Sequence, residues 1–149
     1  MRRSSLLSVL AVFSLPAGCG SYPTDMAGTL ERIEARHAIR VGVADAPGGH
    51  DAAMRSFLSR VAQATDARIE ESEGSMERLL VELEAGGLDL VVAEVAADSP
   101  WGSDVTVIEP LATQPVGERE LGLSAVVRNG ENRWIALLEK QARDMKTGS

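Results

Sequence analysis

The sequence predicts an α/β layered domain: a mainly parallel sheet of about five strands flanked by helices. Three observations carry that expectation. Strand-like and helix-like patterns alternate from Leu30 to Val95, which is the order of a layered α/β fold with right-handed crossovers. Leu88 to Val95 (LDLVVAEV) is a nearly continuous apolar run, as expected of a strand covered on both faces. The segments between the strand patterns carry apolar residues at spacings of three and four, the stripe of a helix lying on a sheet.

In chain order, a short helix over Leu30–Arg36 leads into a strand at Ile39–Ala44 (IRVGVA), bounded by the turn-forming stretch Asp45-Ala46-Pro47-Gly48-Gly49. Ala53, Met54, Phe57, Leu58, Val61 and Ala62 then form one apolar stripe, with Asp51 placed as an N-cap. A brief strand is expected around Ala67–Glu71. A helix follows Ser75, with Met76, Leu79, Leu80 and Leu83 on one face and Gly86-Gly87 as its stop signal. After the buried run, Val105–Ile108 and Leu123–Val127 read as two further strands. Asn132–Met145 closes the chain as a helix with Trp134, Ile135, Leu137, Leu138 and Gln141 along or near one face.

The first eighteen residues do not belong to this pattern. Arg2 and Arg3 precede an uncharged apolar run, Leu6–Leu15, and the small residues Ala17 and Gly18 precede Cys19. This is the layout of a secretory signal, and the run is too short for a bilayer-spanning helix, which needs about 20 apolar residues. Cys19 is the only cysteine of the 149 residues, so no intramolecular disulfide can form. Ala17-Gly18-Cys19 resembles the bacterial lipobox, although Pro16 stands where that pattern usually has leucine. The resemblance implies a palmitate-bearing lipoprotein: signal peptide 1–18, a lipidated tether 19–28 attached to the membrane at Cys19, and a domain at 29–149, on the periplasmic side of the cell envelope. Loss of Arg2 and Arg3 takes the formal charge from −7 to −9, which disfavours nucleic-acid partners.

Enzymatic signatures are missing from the sequence. His37 and His50 lack ligand spacing, so no metal is expected; there is no G-x-S-x-G elbow and no G-x-G-x-x-G fingerprint. The expectation is a protein that is not an enzyme and carries no cofactor.

The segments Thr29-Leu30-Glu31-Arg32-Ile33, Ile39-Arg40-Val41-Gly42-Val43, Glu77 to Gly86, Leu88-Asp89-Leu90-Val91-Val92 and Ala97-Asp98-Ser99-Pro100-Trp101 together resemble, in order and spacing, the extracellular solute-binding proteins of ABC importers, polar amino-acid type (family 3). Members have two lobes and almost twice this length. Here Leu121–Asp144 resembles the family's closing strand and helix yet follows the first lobe after a few residues, which implies a single periplasmic-binding-protein-like lobe. The loop after the third strand, which often carries a carboxylate-binding arginine in the family, has none here, and the turn at Ala46–His50 lacks the aromatic residue often found there.

In open α/β sheets, ligands gather at the carboxyl ends of the strands near the switch in strand order. That rule selects Asp45, Glu94, Asp98, Ser99 and Trp101 as the ligand-binding rim, with Trp101 offering a ring face and the three carboxylates favouring a cation. The resemblance implies non-catalytic binding of a small polar solute, amino-acid-like or cationic, for an ABC permease. The competing expectation is an envelope protein–protein interaction module, derived from such a lobe, that docks a second envelope protein and has lost its solute.

Overall fold

The computed structural model describes residues 23–44, 51–96, 105–116 and 119–147. Ten elements follow one another: α1 (Thr29–Arg36), β1 (Ala38–Ala44), α2 (Asp51–Thr65), β2 (Arg68–Gly74), α3 (Met76–Glu84), β3 (Leu90–Ala96), β4 (Val105–Val107), β5 (Ala112–Val116), β6 (Arg119–Arg128) and α4 (Asn132–Thr147). The sheet runs β2-β1-β3-β6-β4, with β5 also paired to β6. β1 is parallel to both β2 and β3, whereas β6 is antiparallel to β3, β4 and β5.

The expected α/β lobe is therefore present, with a six-stranded mixed sheet whose parallel part is β2-β1-β3. One strand, β5, was not anticipated; its sequence Ala-Thr-Gln-Pro-Val has little of the β-branched alternation that marks strands. Asp51 is the first residue of α2 and not its N-cap.

Strand alternation sorts the core into two layers. Ile39, Val41, Leu90, Val92, Leu123, Ala125 and Val127 point to one face, where they meet α1 through Ile33, α2 through Phe57 and Val61, and α4 through Trp134 and Leu138. Val91, Ala93, Val95 and Val126 point to the other face, which α3 covers with Leu79, Leu80 and Leu83. Helix α3 sits close because β1 has a glycine beneath it: a Cβ on Gly42 would lie 2.8 Å from Leu88 Cδ1 and 3.0 Å from Leu79 Cδ2. The outer strand β2 exposes Glu70, Glu71 and Glu73, a row of charge that discourages a further strand from pairing with it.

Two carboxylate centres fix the end of the sheet where β1 and β3 begin. Asp89, with a side chain 1 % exposed, accepts from the Arg40 backbone N–H at 2.8 Å, from Arg40 Nε and Nη2 at 3.0 and 2.7 Å, and from Arg32 Nη2 at 3.1 Å. Its carbonyl accepts the Trp134 indole N–H at 2.9 Å. Helices α1, α4 and strand β1 are thus referred to one residue.

The second centre is a reciprocal clasp. The first turn of α1 has no local side-chain cap and is preceded by Gly28 at φ 66°. Its N-terminal N–H groups are met in part from far along the chain, where Glu131 accepts from Ala27 N at 2.7 Å and Thr29 N at 2.9 Å, and in part from five residues upstream, where Asp25 Oδ2 accepts from Leu30 N at 2.9 Å. In return Asp25 Oδ1 accepts from Arg133 N at 2.7 Å and Trp134 N at 3.0 Å, capping α4. Met26 N donates to Gly130 O at 3.1 Å and Asn132 Nδ2 to Thr24 O at 3.2 Å. Gly130 is required here, because its φ is 83° and a Cβ would lie 2.5 Å from Met26 Sδ. Within the segment expected as a tether, Thr24–Gly28 is bonded into the domain.

Burial pushes the Asp89 carboxyl up, but the bonds from Arg40 and Arg32 outweigh it and hold the group below the usual carboxylate range. For Glu131, burial likewise opposes the bonds from Thr29 and Ala27 and the Arg128 charge, and the net direction is again downward. Groups depressed in the folded state contribute stability that is complete above their unfolded pKa, about 4, and that is lost as pH falls through it and below. The urea midpoint is expected to hold from pH 7 to about 5 and to drop below about 4, with the drop reduced in Glu131→Gln; a midpoint flat to pH 3 would contradict the assignment. Asp89→Ala is expected to cost about 3 kcal/mol in urea unfolding, at the lower end of the range for a broken buried pair because both arginines keep access to water.

Candidate functional site

The site is defined by how the chain crosses the sheet. From β1 the chain passes through α2 to β2 on one side, then through α3 to β3 on the other side of β1. Two crossovers of the same hand in opposite directions place α2 and α3 on opposite faces, as the two core layers show. The switch in strand order consequently lies between β1 and β3, and the cleft of such a sheet opens at their carboxyl ends, beyond Ala44 and Ala96.

Glu94 is the sequence-selected rim residue that the structure describes. It pairs in register with Leu123 on β6, and alternation turns its side chain to the face of Leu90 and Val92, the face that α2 covers. The side chain is half-buried, a carboxylate two residues before the end of an otherwise apolar strand. Asp45 directly follows β1 in sequence, and Asp98, Ser99 and Trp101 follow β3; all four lie outside the described residues, as do His50 and Cys19.

Described concavities lie elsewhere. A shallow groove at the opposite end of the sheet is lined by His37, Ser59, Gln63, Asp66 and Arg68, where α1 and α2 both end. His37 and Asp66 stand there in left-handed conformations, φ 51° and 50°, and the His37 ring Nδ1 lies 2.8 Å from the Asp66 carbonyl, which accepts from it. A second groove beside the clasp is lined by Pro23, Thr24, Leu30, Arg133 and Ala136. Among the described residues, no group of three or more His, Cys, Asp or Glu is placed to hold a metal ion, and no helix is long and apolar enough to cross a membrane. Sequence reasoning passed over Asp25, Asp89 and Glu131; each is a carboxylate in a short connecting segment, and its partners lie 45 to 109 positions away or in a neighbouring element.

No protein-family model and no curated protein sequence matches the chain. Solved structures do share its fold. The arginine-bound form of domain 1 from TmArgBP superposes with a TM-score of 0.64 at 15 % identity, covering 76 % of this chain and 97 % of that one. An amino acid ABC transporter substrate-binding protein from Streptococcus pneumoniae, bound to L-arginine, gives 0.67 at 10 % identity over 80 % and 92 % of the two chains. The ancestral amino acid-binding protein AncCDT-1, a precursor of cyclohexadienyl dehydratase, gives 0.66 at 12 % identity over 80 % and 93 %. The fold is that of a periplasmic binding-protein lobe. Its single lobe has the span of the isolated domain 1.

Proposed function

We propose that the chain is a non-catalytic, single-lobe receptor for a small cationic, amino-acid-like solute, anchored in the cell envelope by lipid on Cys19 and working with an ABC-type importer. The observation that carries this reading is Glu94, a carboxylate set in an apolar strand at the switch point of a lobe whose solved neighbours include arginine-bound proteins. Asp45, Asp98, Ser99 and Trp101 continue the chain beyond β1 and β3 in sequence. The acidity of Asp45, Glu94 and Asp98 matches a cationic group, and the sequence after β3 offers no arginine to clamp a carboxylate. The solute is gripped by its cationic end.

A two-lobed receptor encloses its solute, and small-molecule sites generally bury about 70–90 % of the ligand surface. One lobe leaves part of that surface in water. The arginine-bound form of domain 1 from TmArgBP supports occupancy of a lone lobe, and weaker binding than in a closed cleft is the physical expectation. The alternative, a docking module without solute, calls for a contiguous apolar patch. Among the described residues the exposed large apolar side chains are Met26, Val81 and Val107, which belong to the clasp, α3 and β4 and form no such patch.

A thermal-shift series with L-arginine, L-lysine, putrescine, L-glutamate and succinate tests the reading, since a ligand that binds only the folded state adds about 2.7 kcal/mol at a hundredfold excess over Kd. A concentration-dependent rise for the cationic solutes alone is expected, with Glu94→Gln weakening it about tenfold, or about 1.4 kcal/mol. A response to the dicarboxylates, or none to any solute at millimolar concentration, would overturn it.

A further inference from the structure

On one face of the sheet the core closes completely and then opens at one end. Along β1 and β3 the side chains of Ile39, Val41, Leu90 and Val92 alternate onto the face that α2 covers, and all four are buried. One alternation further toward the carboxyl ends, Val43 and Glu94 are only partly buried. β6 repeats the pattern: Leu123, Ala125 and Val127 lie buried on the same face, and Leu121, two residues closer to the carboxyl end of β3, is partly exposed. Among the described residues the opposite face shows no such opening. Ala44, the last residue of β1, and Val95, the last but one of β3, stay buried in the α3 layer.

The register sets the three partly exposed side chains in a diagonal row across adjacent strands. Val43 pairs with Val92, so Glu94 stands one alternation beyond it on β3. Glu94 pairs with Leu123, and Leu121 stands one alternation beyond that on β6. Diagonal neighbours of this kind lie roughly 7–8 Å apart, within reach of a long side chain. An acidic group is thus flanked on both sides by apolar ones. Helix α2 bounds the row at its start, because a helix returning between two parallel strands begins at their carboxyl ends, and Ala53 and Met54 there pack partly buried against the same core.

A carboxylate attracts a cation whatever the cation is attached to. The flanking side chains discriminate further: apolar surface gains when other apolar surface covers it, whereas a polar stem laid on Val43 and Leu121 would lose water without gaining a hydrogen bond. A compact cation would leave both side chains uncovered. We propose that Val43 and Leu121 form an apolar subsite beside Glu94, which selects, among cationic amino-acid-like solutes, those that carry their charge at the end of an unbranched methylene stem. This selection rests on the receptor reading above and deepens it. Glu94 holds the charge, and Val43 and Leu121 hold the chain that presents it. With one lobe, the far side of the stem stays in water, so each methylene contributes part of its full worth.

Calorimetric titration of the full chain with L-2,4-diaminobutyrate, L-ornithine and L-lysine tests the subsite, because the three carry the same charged groups and differ by one methylene at each step. A fully buried methylene is worth about fourfold in affinity; with one side of the stem in water, a rise of at least about twofold per step is expected. Val43→Thr and Leu121→Thr are expected to flatten the rise and Val43→Ile to keep it, with thermal melting in the absence of solute verifying the fold of each variant. Equal affinity for the three solutes, or a rise undiminished in both threonine variants, overturns the subsite and leaves the receptor reading in place. Binding of none of the three overturns the receptor reading and the subsite with it.

Discussion

Asp89 occupies the point at which helix, strand and sheet order are reconciled. Its carboxylate is almost fully buried and holds Arg40 of β1 and Arg32 of α1, while its carbonyl takes the indole N–H of Trp134 from α4. A buried carboxylate is costly unless its lone pairs are used, and here four donors use them. The position of Asp89, one residue before β3 begins, sets the start of that strand against β1, from which the register at Val41 and Leu90 follows. The switch between β1 and β3, and hence the rim, inherits its alignment from this contact.

The clasp of Asp25 and Glu131 closes the first and last helices against each other by exchanging caps across more than a hundred residues. Among the described residues near the carboxyl end of β3, Val92, Ala93 and Val95 are buried and Glu94 is half-buried. A rigid base whose carboxylates are hydrogen-bonded suits a binding lobe, because a site on rigid elements holds its geometry while its loops vary.

Periodicity made most of the fold legible. The apolar stripes at Phe57, Leu58 and Val61 and at Leu79, Leu80 and Leu83, and the apolar residues of the run from Leu90 to Val95, state which face of each element is buried, and all of them are in the core. β5 escaped because Thr113, Gln114 and Pro115 carry no burial signal; the strand exists through its pairing with β6, a tertiary effect that a local window does not contain. The clasp escaped for the same reason. Ala27-Gly28 before α1 offers no capping side chain, and the groups that replace one come from Glu131 and Asp25, which no local spacing connects. The rim was an expectation from topology applied to chain order; of its five residues the structure describes Glu94, near the carboxyl end of β3, and the other four lie outside the described residues.

The central claim is that a lone lobe binds a cationic solute at the carboxyl ends of β1 and β3. Chemical-shift mapping of the isotopically labelled protein during an L-arginine titration addresses it residue by residue. Saturable shifts at Ala44, Glu94, Val95 and Ala96, with His37, Asp66, Arg133 and Trp134 unmoved, are the result predicted here. Shifts centred on the His37 and Asp66 groove or on the clasp, or a spectrum unchanged at saturating arginine, would contradict it.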